Sequence, residues 1–171
     1  WGDEPLLVFG AGYDTSKDNT RDADTMGRDV YIVKAKTGEK VWSLRSDNAF
    51  KGKHSIAADV SLLDSDYDGY VDRLYAADTS GSIWRVDMPS NKTSEWSHFE
   101  FAKLNGSTNA LDRRFFYKPM IARTMYSKVT NTTYNGKTIV TRKDTPFDAV
   151  LVGSGNRSNP IGTITKDQLY M

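Results

Sequence analysis

Cysteine is absent from the 171 residues, and histidine occurs only as His54 and His98. The first absence excludes disulfides and thiolate metal sites while leaving the compartment open. No run approaches the roughly 20 apolar residues that a membrane-spanning helix needs, and no charged, apolar, small-residue leader opens the chain. The chain starts at Trp1 rather than Met, so a mature piece or part of something longer is expected. An excess of charge is lacking as well: 23 basic side chains face 22 acidic ones, a formal net charge of +1. Without a basic field, nucleic acid is not an expected partner. The one close basic cluster, Arg113, Arg114 and Lys118, reads as a solvated strand edge. Sustained helical periodicity is also missing.

What is present has the short period of strands. Residues 5–12 (PLLVFGAG), 30–35 (VYIVKA), 73–78 (RLYAAD), 82–88 (SIWRVDM), 98–104 (HFEFAKL), 137–142 (KTIVTR) and 149–155 (AVLVGSG) are brief and rich in β-branched or aromatic side chains. Gly, Asn, Asp and Ser separate them. Residues 115–127 read as extended, because Pro119 would break a helix there. Asn135-Gly136 is a strong hairpin signal and predicts a β-hairpin over 126–142. The chain is therefore expected to be all-β.

A repeat refines that expectation. Residues 30–42 (VYIVKAKTGEKVW) and 73–84 (RLYAADTSGSIW) share an order of apolar residues with Tyr, a polar turn with Gly, and Trp. Gly38 and Gly81, like Trp42 and Trp84, stand one period of about 40–45 residues apart, the length of a four-stranded β-propeller blade. Residues 6–14 and 149–157 both look like small-residue inner strands running into a loop. The expectation is one propeller-type domain over 1–171, either about four blades or part of a larger ring.

Between an apolar turn at Ser61–Leu63 and the strand from Arg73 lies DSDYDGYVD, residues 64–72. Four carboxylates in nine positions repel each other and lose hydration on folding, so the stretch calls for a cation. Asp64, Asp66 and Asp68 at positions 1, 3 and 5, Gly69 at 6 and Asp72 at 9 match the start of an EF-hand calcium loop. The glycine permits the sharp turn, and the Tyr70 carbonyl at position 7 offers a neutral ligand. An all-oxygen set suits Ca2+ rather than zinc or copper. Position 12 holds Tyr75 instead of bidentate Glu, and strands rather than helices flank the loop. A nine-residue variant closed by Asp72 is expected.

Residues 55–88, SIAADVSLLDSDYDGYVDRLYAADTSGSIWRVDM, resemble the calcium-loop segment in the C-terminal domain of PilY-type proteins, which are type IV pilus biogenesis factors and tip adhesins. GAGYDTSKD (10–18) and MGRDVYIVKAKTGEKVWSL (26–44) resemble neighbouring parts of that domain. The resemblance is specific across roughly 1–90 and weaker beyond. It implies a modified β-propeller larger than this chain, with Ca2+ on Asp64, Asp66, Asp68, Asp72 and the Tyr70 carbonyl. It further implies a non-enzymatic role at the bacterial cell surface, at the pilus tip or outer membrane, where calcium governs pilus extension against retraction. Pilus components and host or abiotic surfaces would be the partners, with membrane association only through the pilus machinery. Some members carry an Arg-Gly-Asp integrin-binding tripeptide, whereas this chain has Gly27-Arg28-Asp29.

Two other classes compete. KAKTGEKVW (34–42) is similar to the blade repeat of quinoprotein dehydrogenases, but Lys34 stands where that repeat has Asp, and no catalytic base can be named. An integrin-like scaffold would use the acidic loop only to brace a blade. The spacing of Asp14, Asp18, Asp22 and Asp24 fits no calcium template, so residues 12–27 read as a polar surface loop. Ser55 beside His54 is not a triad, because no G-x-S-x-G elbow occurs. Trp42, Trp84 and Tyr75 recur with the repeat and read as packing residues.

Overall fold

The computed structural model describes residues 4–46 and 49–171; Trp1 lies outside them. Among the described residues there are ten strands and, for the rest, only short 3-10 turns and loops. The strands are β1 (Leu6–Gly10), β2 (Val30–Lys34), β3 (Lys40–Ser43), β4 (Ser61–Leu63), β5 (Arg73–Ala77), β6 (Ser82–Asp87), β7 (Ser97–Lys103), β8 (Met120–Tyr134), β9 (Lys137–Gly153) and β10 (Leu169–Tyr170). They form three separate sheets, β1-β2-β3, β4-β5-β6-β7 and β8-β9-β10, each an antiparallel meander in chain order. The fold is all-β, and no sheet among the described residues closes on itself.

The centre of the middle sheet, β5 and β6, is covered on both faces, which explains why Leu74–Ala77 is an unbroken apolar run rather than an alternating one. Leu74, Ala76 and Val86 pack with Val30, Ile32, Trp42, Leu44 and Ile56 toward the first sheet. Tyr75, Ala77 and Ile83, on the opposite face, pack with Phe115, Val150 and Val152 of the third layer. Each large aliphatic side chain buried this way contributes about 1.5–3 kcal/mol.

The two repeated hairpins, β2–β3 and β5–β6, both turn on a left-handed glycine, Gly38 (φ 73°) and Gly81 (φ 91°). Trp42 and Trp84 are buried, in edge-on contact with Trp96 and Phe50 respectively. Asp78 sits under the second turn, accepting from the amide and hydroxyl of Ser80, the amide of Ser82 and the Trp84 indole. Burial pushes its carboxyl up, against the pull of those donors.

Several expectations need correction. Ser61–Leu63 is not a turn but β4, the edge strand of the middle sheet. Phe115 and Phe116 are buried outside any strand, and β8 begins only at Met120. Residues 137–142 and 149–153 belong to one continuous strand, β9, with Ser154 and Gly155 beyond its end, so the hairpin spans 120–153 rather than 126–142. Arg113 and Arg114 are not a solvated edge: both are buried, Arg113 donating to the Tyr170 hydroxyl and Arg114 to the carbonyls of Lys17, Asp18 and Thr20. Carbonyl-rich loops accept a guanidinium's fork of donors, and composition alone does not show that burial.

The 12–27 segment is likewise more than a polar surface loop. Asp14 and Asp24 are buried within it. Asp14 accepts from the amides and hydroxyls of Ser16 and Thr25, and these hold its carboxyl well below the usual carboxylate range. Asp24 accepts from the Ser55 amide and the Thr79 hydroxyl, with His54 Nδ1 at 3.6 Å. Asp14 thus caps the segment from within, whereas Asp24 ties it to Ser55 and Thr79 in the body.

Candidate functional site

Residues 64–72 connect β4 to β5, and the pairing Leu63↔Arg73 brings the two ends of the loop together. The Asp72 amide closes the base by donating to the Leu63 carbonyl at 2.9 Å. Two residues adopt the left-handed conformation, Gly69 (φ 94°) and Tyr67 (φ 65°). Glycine takes it freely, whereas for tyrosine it costs about 1–2 kcal/mol. Asp64 offsets that cost: its Oδ1 accepts the Tyr67 amide at 2.6 Å and its Oδ2 the Gly69 amide at 2.9 Å. At the other end Asp72 Oδ2 accepts both the amide and the hydroxyl of Ser65, at 2.6 and 2.7 Å. These donors, aided by Arg73, hold the Asp72 carboxyl below its ordinary range, so it is ionised at neutral pH.

The loop thus folds around its acids. Carboxylate oxygens of Asp64, Asp66 and Asp72 lie within 4.8 Å of one another. Ligands on opposite sides of one calcium ion are separated by about 5 Å, so a single ion can be reached by all three. The other two expected ligands are placed differently. Asp68 is outside this group; its Oδ1 accepts the Tyr70 amide at 2.7 Å, and the Tyr70 side chain is exposed. Tyr75, at position 12, is buried in β5 between Ser61 and Arg85, so Asp72 is the last acid the loop offers.

The surrounding cations are committed elsewhere. Arg73 pairs with Asp87 (3.6 Å) and Asp148 (3.4 Å), and Arg123 pairs with Asp148 at 3.0 Å. Among the described residues none of the four loop aspartates takes part in an ion pair. Arg123 nonetheless grips the loop, donating to the Ser65 carbonyl at 3.0 Å with its guanidinium 5.1 Å from the centre of the Tyr67 ring. Because Arg123 belongs to β8, the acidic loop is fastened to the base of the long hairpin. Sequence reasoning misses this clamp: Arg123 and Asp148 lie 25 residues apart, and only the register of β8 against β9 makes them neighbours. On its other side the loop helps wall a groove of about 710 Å³, where Tyr70 and Val71 join Leu6, Ile32, Met88 and Trp96.

Among the described residues no helix is long and apolar enough to cross a membrane. The sequence is similar to a type IV pilus biogenesis factor PilY1 homolog from Xylella fastidiosa (strain Temecula1), with 29% identity over 99 residues. That similarity covers 52% of this chain but only about 6% of the relative's length. No family model matches the sequence, and no solved structure matches it.

Proposed function

We propose that the chain is a calcium-binding, non-enzymatic module of a type IV pilus-associated surface protein. In this reading Ca2+ binds Asp64, Asp66 and Asp72, with Asp68 and the Tyr70 carbonyl turning in to complete the shell. The observation that carries it is a loop whose converging carboxylates form no ion pair among the described residues. A hard, oxygen-seeking dication suits such a set. The similarity to a pilus biogenesis factor supports the pilus setting. The three meanders layered face to face support a propeller-type arrangement in which each sheet is a blade or part of one.

Calcium would act here by removing repulsion inside the loop, fixing the Ser65 carbonyl and hence the seat of Arg123. The ion's effect then reaches the base of β8–β9 through one hydrogen bond and one stacked ring. Calorimetry tests the reading: EDTA-treated protein should take up one calcium ion, and Asp64→Asn or Asp72→Asn should remove the heat. Unchanged binding in both variants would refute the assignment.

A further inference from the structure

The β8–β9 hairpin leaves the body as a two-stranded ribbon, and from the row Thr124↔Phe147 to the row Tyr134↔Lys137 it extends about 35 Å. Two strands without a third are marginal in water, so the side chains on such a ribbon deserve an explanation beyond packing. Directly opposed residues share a face, and successive rows alternate between faces. One face carries Ser127↔Asp144 and Val129↔Arg142, and its charges are satisfied internally: Asp144 accepts from the Ser127 hydroxyl and from Arg142 at 2.8 Å.

The other face is different in kind. Its rows run Thr124↔Phe147, Tyr126↔Thr145, Lys128↔Lys143, Thr130↔Thr141, Thr132↔Ile139 and Tyr134↔Lys137. Three lysines stand there with no acidic residue in any row. Among the described residues none of the three ammonium groups has a side-chain hydrogen bond or ion pair. Lys128 and Lys143 are direct cross-strand partners, a like-charge placement that destabilises a ribbon unless negative charge is brought to it. Tyr126, Tyr134 and Phe147 remain exposed on the same face, and five threonine hydroxyls lie between them.

We propose that this lysine, aromatic and threonine face of the β8–β9 ribbon binds a carboxylated polysaccharide. The inference rests on the surface role proposed above, not on the calcium ion, and names a ligand class for it. Lysine ammonium groups pair with uronate carboxylates, the exposed rings stack on sugar faces, and the threonines exchange hydrogen bonds with hydroxyls. About 20 Å separates the Lys128↔Lys143 row from Lys137, so the cations match charges spaced along an extended polymer rather than one small anion. A bilayer is less suited: Phe147 at the base and Ile139 near the tip are separated by hydroxyl and lysine rows, leaving no continuous apolar strip. Nucleic acid is less suited too: a duplex carries one negative charge per about 1.7 Å, far denser than three lysines spread over about 20 Å can match.

The test uses the full chain over immobilised hyaluronan, with dextran as the neutral polymer and phosphatidylglycerol vesicles and a DNA duplex as the other polyanions, each in calcium and in EDTA. Retention on hyaluronan over dextran is expected, weakening as salt rises. The Lys128→Gln/Lys137→Gln/Lys143→Gln variant should lose about tenfold in affinity, the scale of three exposed charge contacts. Tyr126→Ala/Tyr134→Ala should weaken retention at unchanged salt dependence. Equal retention on dextran, stronger binding to vesicles or DNA, or undiminished binding by the lysine variant would overturn the proposal. It also falls if wild type ignores hyaluronan while the lysine variant merely aggregates, because the lysines would then serve only to guard open strand edges. Calcium calorimetry on the lysine variant separates the two readings. Normal calcium uptake with lost hyaluronan binding supports this inference, and hyaluronan binding that persists without any calcium heat removes the calcium assignment alone.

Discussion

Each buried or clustered aspartate in this chain has its own solution to the problem of charge. Asp78 relies on four donors within its own hairpin, and its removal in Asp78→Ala strands the Trp84 indole and the Ser82 amide in the core and leaves the half-buried Ser80 amide without its acceptor. Because the Ser80 amide is half-buried and only the indole and the Ser82 amide are left as buried orphans, a loss of about 2–3 kcal/mol is expected, read as a lower urea midpoint with an unchanged slope. Asp14 and Asp72 have folded-state pKa values below their unfolded ones. Their stabilisation is therefore fully present above the unfolded value of about 4 and is lost as the pH falls through the folded values. Unfolding free energy should decline in acid, and Asp72→Asn should flatten part of that decline. Asp78 runs the other way: its raised pKa subtracts stability as the pH climbs through the unfolded value toward the folded one.

Among the elements, the repeated hairpins allow a paired comparison. At Gly38 a Cβ would meet open space, so Gly38→Ala bears only the left-handed penalty of about 1 kcal/mol. At Gly81 the same atom would press on the Arg113 carbonyl at 2.9 Å, and Gly81→Ala should cost about 2 kcal/mol or more. Equal losses in a thermal melt would contradict this packing. The hairpins were legible in sequence because Gly, Trp and the β-branched runs act locally. The Asn135-Gly136 turn was legible too, and both residues take the left-handed conformation it needs, at φ 49° and 73°. The length of β8 and β9 was not, since Lys, Arg and Thr on an exposed ribbon give no apolar alternation to extend the strand reading. Nor was β4 visible: three residues beside an acidic loop resemble a turn until β5 pairs with them. The loop's chemistry showed in its Asp and Gly spacing, whereas its fastening to Arg123 depends on tertiary register.

For the molecule as a whole, three layered sheets and two apolar clusters set a stability to which an ion in the 64–72 loop would add. Ligand present at a hundredfold excess over its dissociation constant contributes about 2.7 kcal/mol, or about 5–10 °C in a chain of this size. Arg123→Ala should leave most of that calcium-dependent gain intact while abolishing the calcium effect on hydrogen exchange at the base of β8–β9, because the clamp is the route from loop to ribbon. The most direct test of the central claim is a calorimetric titration of Ca2+ into the EDTA-treated full chain, beside Asp64→Asn and Asp72→Asn. One saturable site in the parent and none in either variant is the predicted result. A parent chain that evolves no heat and melts at the same temperature with and without calcium would contradict it.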